Sequence, residues 1–392
     1  MAKILTYNVT LEGNLSYAHT FKRVIKASPN NKWFYGSYGY NGPVRDLDWY
    51  TLVPCTHDPS YKPKEFESTC EKYKPDVLFM HEDLQRLQWV PGVRNVPVAL
   101  WLPWDNEDGN VRSAIDLARQ SDVIISVAKF AQNYWAQQGI DAYQVYNPVD
   151  TDVYYPDDAA GKKFRDYVGI PDDHKIITWL GRPGWRKRFS HIVEIASRII
   201  KKNPKVHLLL HTDFNDPSLA FRPEEILYAK DLLKGDAVIW PDDLNFQQGY
   251  PEDVMNQLYN ATDVYIAPHG GEGMCLPIVE AMSAGKPFVA TDYTTTQEFA
   301  DYKVRGKDMV GNRGCGAKLG YMFRDRGIMR PYVDIDDFVK KTEMLLANDE
   351  MRYEMGRVGR EFVQKEVDSK VVGAKISAIL DEITSVNTIG VK

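Results

Sequence analysis

Short, nearly unbroken apolar runs alternate along the chain with longer stretches of helical period, the pattern of parallel strands joined by helices. In the first half the runs predict strands at Ile4–Val9, Trp49–Pro54, Asp76–Met80, Val96–Leu102, Val123–Val127 and Tyr143–Tyr146. Helices are predicted between them at Ser16–Ala27, Pro63–Tyr73, Val111–Arg119 and Lys129–Gln138. The segment Asn147–Pro156 (NPVDTDVYYP) interrupts this rhythm with prolines and turn-forming Asn and Asp, and reads as a linker. The pattern then restarts, with strands expected at Ile176–Leu180, Val206–His211, Ala237–Trp240, Val264–Ala267 and Phe288–Thr291. Helices are expected at Ser190–Lys202, Pro223–Leu233, Pro251–Tyr259, Pro277–Ala284 and Thr295–Ala300, and the tail from Asp334 reads as mostly helical. The prediction is an α/β protein of two doubly wound, Rossmann-like units whose strand C-terminal ends face a cleft, where ligands bind in such sheets.

A length of 392 residues agrees with two domains rather than one core. Hydrophobic residues at 44% and charged residues at 26% describe an ordinary globular chain. The net charge of −6 counts against a chain built to neutralise long nucleic acid, so DNA is disfavoured as a partner or substrate. Cys55, Cys70, Cys275 and Cys315 are scattered without a CxxC pair, suggesting neither a zinc site nor a disulfide framework. The start, MAKILTYNVT, reads as a strand rather than a leader, and no run of about 18 apolar residues occurs. A cytoplasmic location is therefore expected; the basic–apolar stretch Phe21–Lys26 leaves room for peripheral membrane contact.

The most informative segment is 263–298, where a strand runs into a loop holding Gly270, Gly271 and Gly273, and Pro277 then opens a helix. Glycines allow close main-chain approach, and a helix N-terminus offers free N–H groups to an anion. The predicted element is a diphosphate cradle. Glu272 and Glu280 lie in and just beyond it, and carboxylates there suit neutral vicinal hydroxyls, one on a sugar and one on a ribose. Isolated, the same pair would read as solvated surface charges. A second segment, Ile176–Ser190 (IITWLGRPGWRKRFS), places Arg182 and Lys187 after a strand, on the side of the expected cleft. Cations there would stabilise charge developing on a leaving diphosphate, with Arg186 and Arg188 expected as solvated members of the turn.

These residues resemble the GT-B glycosyltransferases of the large retaining family 4. Gly181-Arg182 with Lys187 is similar to the family's G-R-x4-K, and Glu272-Gly273-Met274-Cys275-Leu276-Pro277-Ile278-Val279-Glu280-Ala281 to its E-G-F-G-L-P-x2-E-A. Asn147-Pro148-Val149-Asp150 and Gly285-Lys286-Pro287 are further matches, and the likeness covers roughly residues 120–370. It implies a donor domain over 150–371 and an acceptor-side domain over 1–149, with a C-terminal helix near 372–392 packing back on the latter. It implies Arg182 and Lys187 on the diphosphate, Glu272 on the transferred sugar, Glu280 on the ribose, and main-chain groups of Gly271, Gly273, Met274, Cys275 and Leu276 around the donor. Three departures stand out: Cys275 at the second loop glycine, Arg188 where glycine usually follows the lysine, and His269 in place of serine.

The acceptor side is less legible. The family's glycine-rich loop after the first strand is matched only by Gly13, and a strand-to-helix turn capped by Ser16 explains that stretch equally well. The family's histidine after a central strand has no counterpart in Val98–Asp105, which leaves Asp105, with Trp101 and Trp104 as stacking platforms, or His81 after the preceding strand. A structural role for each is the alternative. Trp240–Phe246 is placed near the nucleotide base by position alone. Paired aspartates such as Asp157-Asp158 and Asp336-Asp337 read as helix caps, so no metal site and no cofactor are expected. The expected activity is retaining transfer of a hexose-type sugar from a UDP- or GDP-sugar to a sugar, lipid-linked or other hydroxyl acceptor. The competing readings are a GT-B nucleotide-sugar epimerase or hydrolase, and a non-catalytic nucleotide-sugar-binding protein.

Overall fold

The structure, a computed structural model, describes residues 1–9, 11, 16–55, 63–87, 89–90, 95–106, 112–216, 221–233, 235–240, 249–300, 312–325 and 328–389. The chain divides into two compact units: Met1–Val149 together with Glu366–Lys392, and Asp150–Lys365.

The first unit is built on strands β1 (Lys3–Asn8), β2 (Lys32–Ser37), β3 (Arg45–Asp46), β4 (Thr51–Val53), β5 (Val77–Met80), β6 (Val98–Leu102), β7 (Val123–Ser126) and β8 (Ala142–Gln144). They form one sheet in the order β3-β4-β2-β1-β5-β6-β7-β8, parallel except for β3. Burial on both faces explains the unbroken apolar runs. In β6, Val98, Leu100 and Leu102 join one core cluster while Ala99 and Trp101 join the other. Among the described residues before Val149, the α-helices of this unit are α1 (Ser16–Lys26), α2 (Pro63–Tyr73), α3 (Arg112–Arg119) and α4 (Lys129–Gln137).

In the second unit, helices α5 (Asp158–Val168), α6 (Phe189–Lys202), α7 (Pro223–Ala229), α8 (Glu252–Ala261), α9 (Leu276–Ser283), α10 (Thr295–Ala300), α11 (Ile335–Leu346) and α12 (Asp349–Glu366) accompany a second sheet. Its strands are β9 (Lys175–Leu180), β10 (Val206–His211), β11 (Val238–Ile239), β12 (Val264–Ala267), β13 (Phe288–Thr291) and β14 (Cys315–Ala317), ordered β11-β10-β9-β12-β13-β14. All neighbours are parallel, so the order reverses between β9 and β12, where Thr178 pairs with Tyr265. A hairpin of β15 (Leu319–Asp325) and β16 (Ile328–Val333) stands apart from this sheet. The last helix, α13 (Ser369–Ile389), belongs to the first unit, where Val372, Ile376 and Leu380 pack into the cluster holding Phe21 and Val24 of α1.

Candidate active site

Ligands of an open parallel sheet bind outside the strand C-termini at the point where strand order reverses. In the second unit that point is flanked by the loops after β9 and β12, which carry the arginine–lysine turn and the glycine loop. The sequence segments singled out above are therefore neighbours in space.

The glycine loop stands on unusual backbone. Gly271 has φ 124°, a conformation that glycine adopts freely. Cys275 takes the left-handed region (φ 57°, ψ 64°) at the N-cap of α9, and no side chain caps that helix start. The first N–H groups of a helix lack intrahelical partners and suit an anion, although at α9 Pro277 has no N–H and Ile278 N donates to Cys275 O at 3.0 Å.

Glu272 is the centre of this loop and is only 4% exposed. Its carboxylate accepts from Lys187 Nζ at 2.6 Å and lies 3.1 Å from Arg186 Nη1. Burial opposes its ionisation, but the Arg186 and Lys187 charges outweigh that and hold the carboxyl well below its ordinary range. His269 Nδ1 lies 2.7 Å from the same carboxylate, and Trp179 Nε1–H donates to His269 Nε2 at 2.8 Å. An indole nitrogen only donates, so Nε2 must be the acceptor and Nδ1 carries the proton given to Glu272. This neutral tautomer agrees with burial, aided by Lys187, which lowers the imidazole pKa to about 4.

The loop's main chain is held as tightly. Arg186 Nη1 donates to Gly271 O at 2.5 Å, Arg330 Nη1 to Gly270 O at 3.1 Å, and Gly270 N donates back to Arg186 O at 2.9 Å. Thr294 Oγ1 accepts from Glu272 N at 3.0 Å, while Thr295 Oγ1 lies 2.9 Å from Glu272 O and 2.6 Å from Gly273 O. Three cationic side chains thus touch a loop that carries one carboxylate, leaving positive charge for an anion. Glu280, on α9, accepts from Tyr259 Oη at 2.7 Å.

His269, Glu272 and Cys275 bring three metal-ligating atoms within 4.8 Å of one another. The trio does not suit an ion. Glu272 is already paired with two cations, both nitrogens of His269 are engaged, and burial pushes the Cys275 thiol up to about 12.

Several expectations need correction. Lys187 reaches Glu272, and Arg186, expected in solvent, joins it there. Arg182 instead forms a two-pronged ion pair with Asp216 and stays 68% exposed. Arg186 and Arg188 are not solvated members of the turn Trp185–Lys187. Arg188 is buried, with its guanidinium 4.3 Å from the Tyr332 ring centre and 4.5 Å from that of Phe323. In the first unit, Trp101 is fully buried and donates to Val145 O at 2.9 Å, and His81 stacks on it at 4.3 Å with Nδ1 2.7 Å from Trp101 O. Trp104 is buried against Tyr134 at 4.6 Å. These rings are core residues with no face open for a sugar. Asp105 is half-buried and accepts from Asn106 Nδ2 at 3.3 Å. Gly13 lies outside the described residues, as does most of 240–246; Trp240 itself is 45% exposed.

Residues 174–348 match the family model described as Glycosyl transferases group 1. Over 144 residues the chain is 27% identical to an uncharacterized glycosyltransferase of Methanocaldococcus jannaschii, covering 36% of this chain and 34% of that protein. Over 173 residues it is 28% identical to the phosphatidyl-myo-inositol mannosyltransferase of Mycobacterium tuberculosis, covering 43% and 40%. The matches thus span well under half the length of these curated relatives. Among solved structures it resembles a sucrose-phosphate synthase from Thermosynechococcus elongatus, with a TM-score of 0.76 at 15% identity over 98% of this chain and 100% of that one. It also resembles Anabaena HepE in complex with UDP-glucose, with a TM-score of 0.74 at 16% identity over 97% and 100%. No helix among the described residues is long and apolar enough to cross a membrane. The chain has the GT-B fold, and the loops around Glu272 fall inside its match to Glycosyl transferases group 1.

Proposed function

We propose that the protein is a retaining glycosyltransferase that moves a hexose-type sugar from a nucleotide-diphosphate sugar, such as a UDP- or GDP-sugar, to a hydroxyl acceptor. The observation that carries this reading is an ionised, buried Glu272 held 2.6 Å from the Lys187 ammonium beside an uncapped helix N-terminus. A diphosphate at that helix start meets N–H groups and the Lys187 and Arg186 charges. Glu272, fixed as an acceptor, meets the hydroxyls of the sugar. As the bond to the anomeric carbon breaks, charge grows on the diphosphate and the cations stabilise it. The acceptor then attacks the same face, and its proton passes to a donor phosphate oxygen. Positioning and electrostatics suffice for this route, which needs no protein base. Arg182, held by Asp216, supplies a further cation to the diphosphate, and Glu280 serves the ribose. The protein's own cations take the place of a divalent metal, so the activity is expected to survive excess chelator. The acceptor side falls to the first unit, with Asp105 as its candidate.

The test is a screen of nucleotide diphosphates and nucleotide sugars by thermal shift, followed by turnover of those that bind. Specific stabilisation, and nucleotide diphosphate release that accelerates when an acceptor is added, support transfer. Rapid release without an acceptor, or conversion of the donor to an epimer, overturns it in favour of a hydrolase or epimerase. Binding with no turnover under any acceptor overturns it in favour of a binding protein.

A further inference from the structure

Among the described residues, Lys74, Arg188, Asp231, Cys275 and Thr294 are the non-glycine positions with positive φ. Three of these five converge on one loop. Cys275 belongs to it, and the Arg188 guanidinium lies so close to Gly270 that a Cβ added there would be 2.8 Å from Nη2. Thr294 is bonded to Glu272. Threonine is the least suited of the three to φ 55°, because its branched Cβ crowds the following carbonyl. Such a conformation persists only where the surroundings over-determine it.

The surroundings of Thr294 do so. It is fully buried between β13 and α10, and its hydroxyl gives its proton to Tyr293 O at 2.7 Å while accepting the Glu272 N–H at 3.0 Å. The next residue, Thr295, places its hydroxyl on the Glu272 and Gly273 carbonyls, and Thr296 bonds Thr291 O and Tyr293 O at 2.5 and 2.7 Å. Glycine would meet the same φ without strain but has no hydroxyl to offer. A β-region φ at 294 would turn both hydroxyls away and leave the buried N–H and C=O of Glu272 without these partners.

We infer that Thr294 is a positioning residue for Glu272: its strained backbone aims two successive hydroxyls at the N–H and C=O of that residue, fixing the main chain from which the carboxylate reaches the sugar. The inference rests on the reading of Glu272 as the sugar-facing carboxylate. Its main chain is held by Thr294 and Thr295, and its side chain by His269, Lys187 and Arg186.

The test compares Thr294→Gly, which keeps the φ and removes the hydroxyl, with Thr294→Ser, which keeps both functions. Displacement of a reacting group by about 1 Å costs on the order of 100-fold. The glycine variant is therefore expected to lose roughly 10- to 100-fold in kcat for donor turnover, with donor KM changed by less than about 3-fold. The serine variant is expected within about 3-fold of the parent. Hydrogen exchange of the peptide spanning 269–276 is expected to quicken in the glycine variant and not in the serine variant. Parent-like kcat in Thr294→Gly, or equal losses in both variants, overturns the inference. Should the parent turn over no nucleotide sugar, the proposed function fails on its own, and the exchange arm still decides: unchanged exchange in the glycine variant overturns the clamp. If the glycine variant does not fold, Thr295→Val removes the bond to Glu272 O and is read by the same criteria.

Discussion

At the scale of single residues, charge decides what each cation near Glu272 does. Lys187 is mostly buried and bonded to an ionised carboxylate, and under the proposed function it would stand where a leaving diphosphate gathers charge. Lys187→Ala is expected to lower kcat/KM for the donor by about 100-fold, the effect of removing one well-placed donor worth ~3 kcal/mol. Nucleotide diphosphate release under saturating acceptor measures it, and a loss below about 3-fold would remove Lys187 from the diphosphate site. Arg182 stands differently. Its side chain is 68% exposed, but the carboxylate it pairs with, Asp216, is 6% exposed, so removing the arginine withdraws a two-pronged partner from a buried charge. Arg182→Ala is therefore expected to lower the melting temperature and also to weaken nucleotide diphosphate binding, as calorimetric titration at a temperature where the variant is folded would show. Unchanged affinity would mean that Arg182 serves Asp216 alone. The sequence made the neighbourhood legible, because a strand, a glycine loop and a helix with proline near its start carry their own signals. It did not show which of three adjacent cations turns inward, since side-chain direction at the turn Trp185–Lys187 depends on the left-handed φ of Arg188 and on the ring wall from Phe323 and Tyr332. Thr294 and Thr295 were hidden for a similar reason: a run of threonines before a helix reads as ordinary capping.

At the scale of elements, the strands buried on both faces were read almost to the residue. Val206–His211, Val264–Ala267 and Phe288–Thr291 match their predicted spans. The misses share a physical cause, a competing local signal. Strand β2 runs straight into Tyr38-Gly39-Tyr40-Asn41-Gly42, whose glycines and asparagine read as loop, and its Gly36 packs under the Tyr7 ring. Helix α5 has a capping Asp157, which accepts from Ala160 N at 2.9 Å, and a left-handed Gly169 at its end, but Pro156 tied its start to the linker. Strand β16 contains Pro331, which normally argues against a strand and is tolerated in a two-stranded hairpin. Close element packing also gives a sharp stability prediction. Helix α12 crosses the turn after α9 so closely that a Cβ on Gly356 would lie 1.8 Å from Gly285 O, and Gly285 itself has φ 72°. Backbone cannot yield as a flexible side chain does, so Gly356→Ala should destabilise by about 1–3 kcal/mol or more. Denaturant unfolding reads this directly, and a neutral result would show that α12 stands farther from α9 than described.

At the scale of the whole molecule, both units bury neutral imidazoles, and this sets how the protein meets acid. Burial lowers His81, in the first unit, and His211 and His269, in the second, to about 4 from an ordinary 6.5. Between those values the unfolded chain binds protons that the folded chain refuses. The contribution of these groups is thus complete above pH ~6.5 and is lost as pH falls toward 4, at up to about 1.4 kcal/mol per pH unit for each histidine. Burial raises the carboxyls of Glu82 and Asp292, which work in the opposite sense as pH falls. Their effect runs from the raised value in the folded chain down to the ordinary one near 4, and two carboxyls stand against three imidazoles. Glu272 is held below its ordinary range, so its contribution is lost only beneath the histidine window. Melting temperature should therefore fall steadily from pH 6.5 to pH 4.5. A flat profile across that interval would mean that the three imidazoles take up protons in the folded state. A nucleotide diphosphate that binds the second unit should raise the melting transition of that unit by mass action, by about 2.7 kcal/mol at a hundredfold excess over Kd. Its acid slope should persist, because the imidazoles of His211 and His269 stay neutral whether or not the helix start holds an anion. Loss of the slope on binding would instead show that the ligand protonates His269, breaking its bond from Trp179 and rebuilding the site around Glu272.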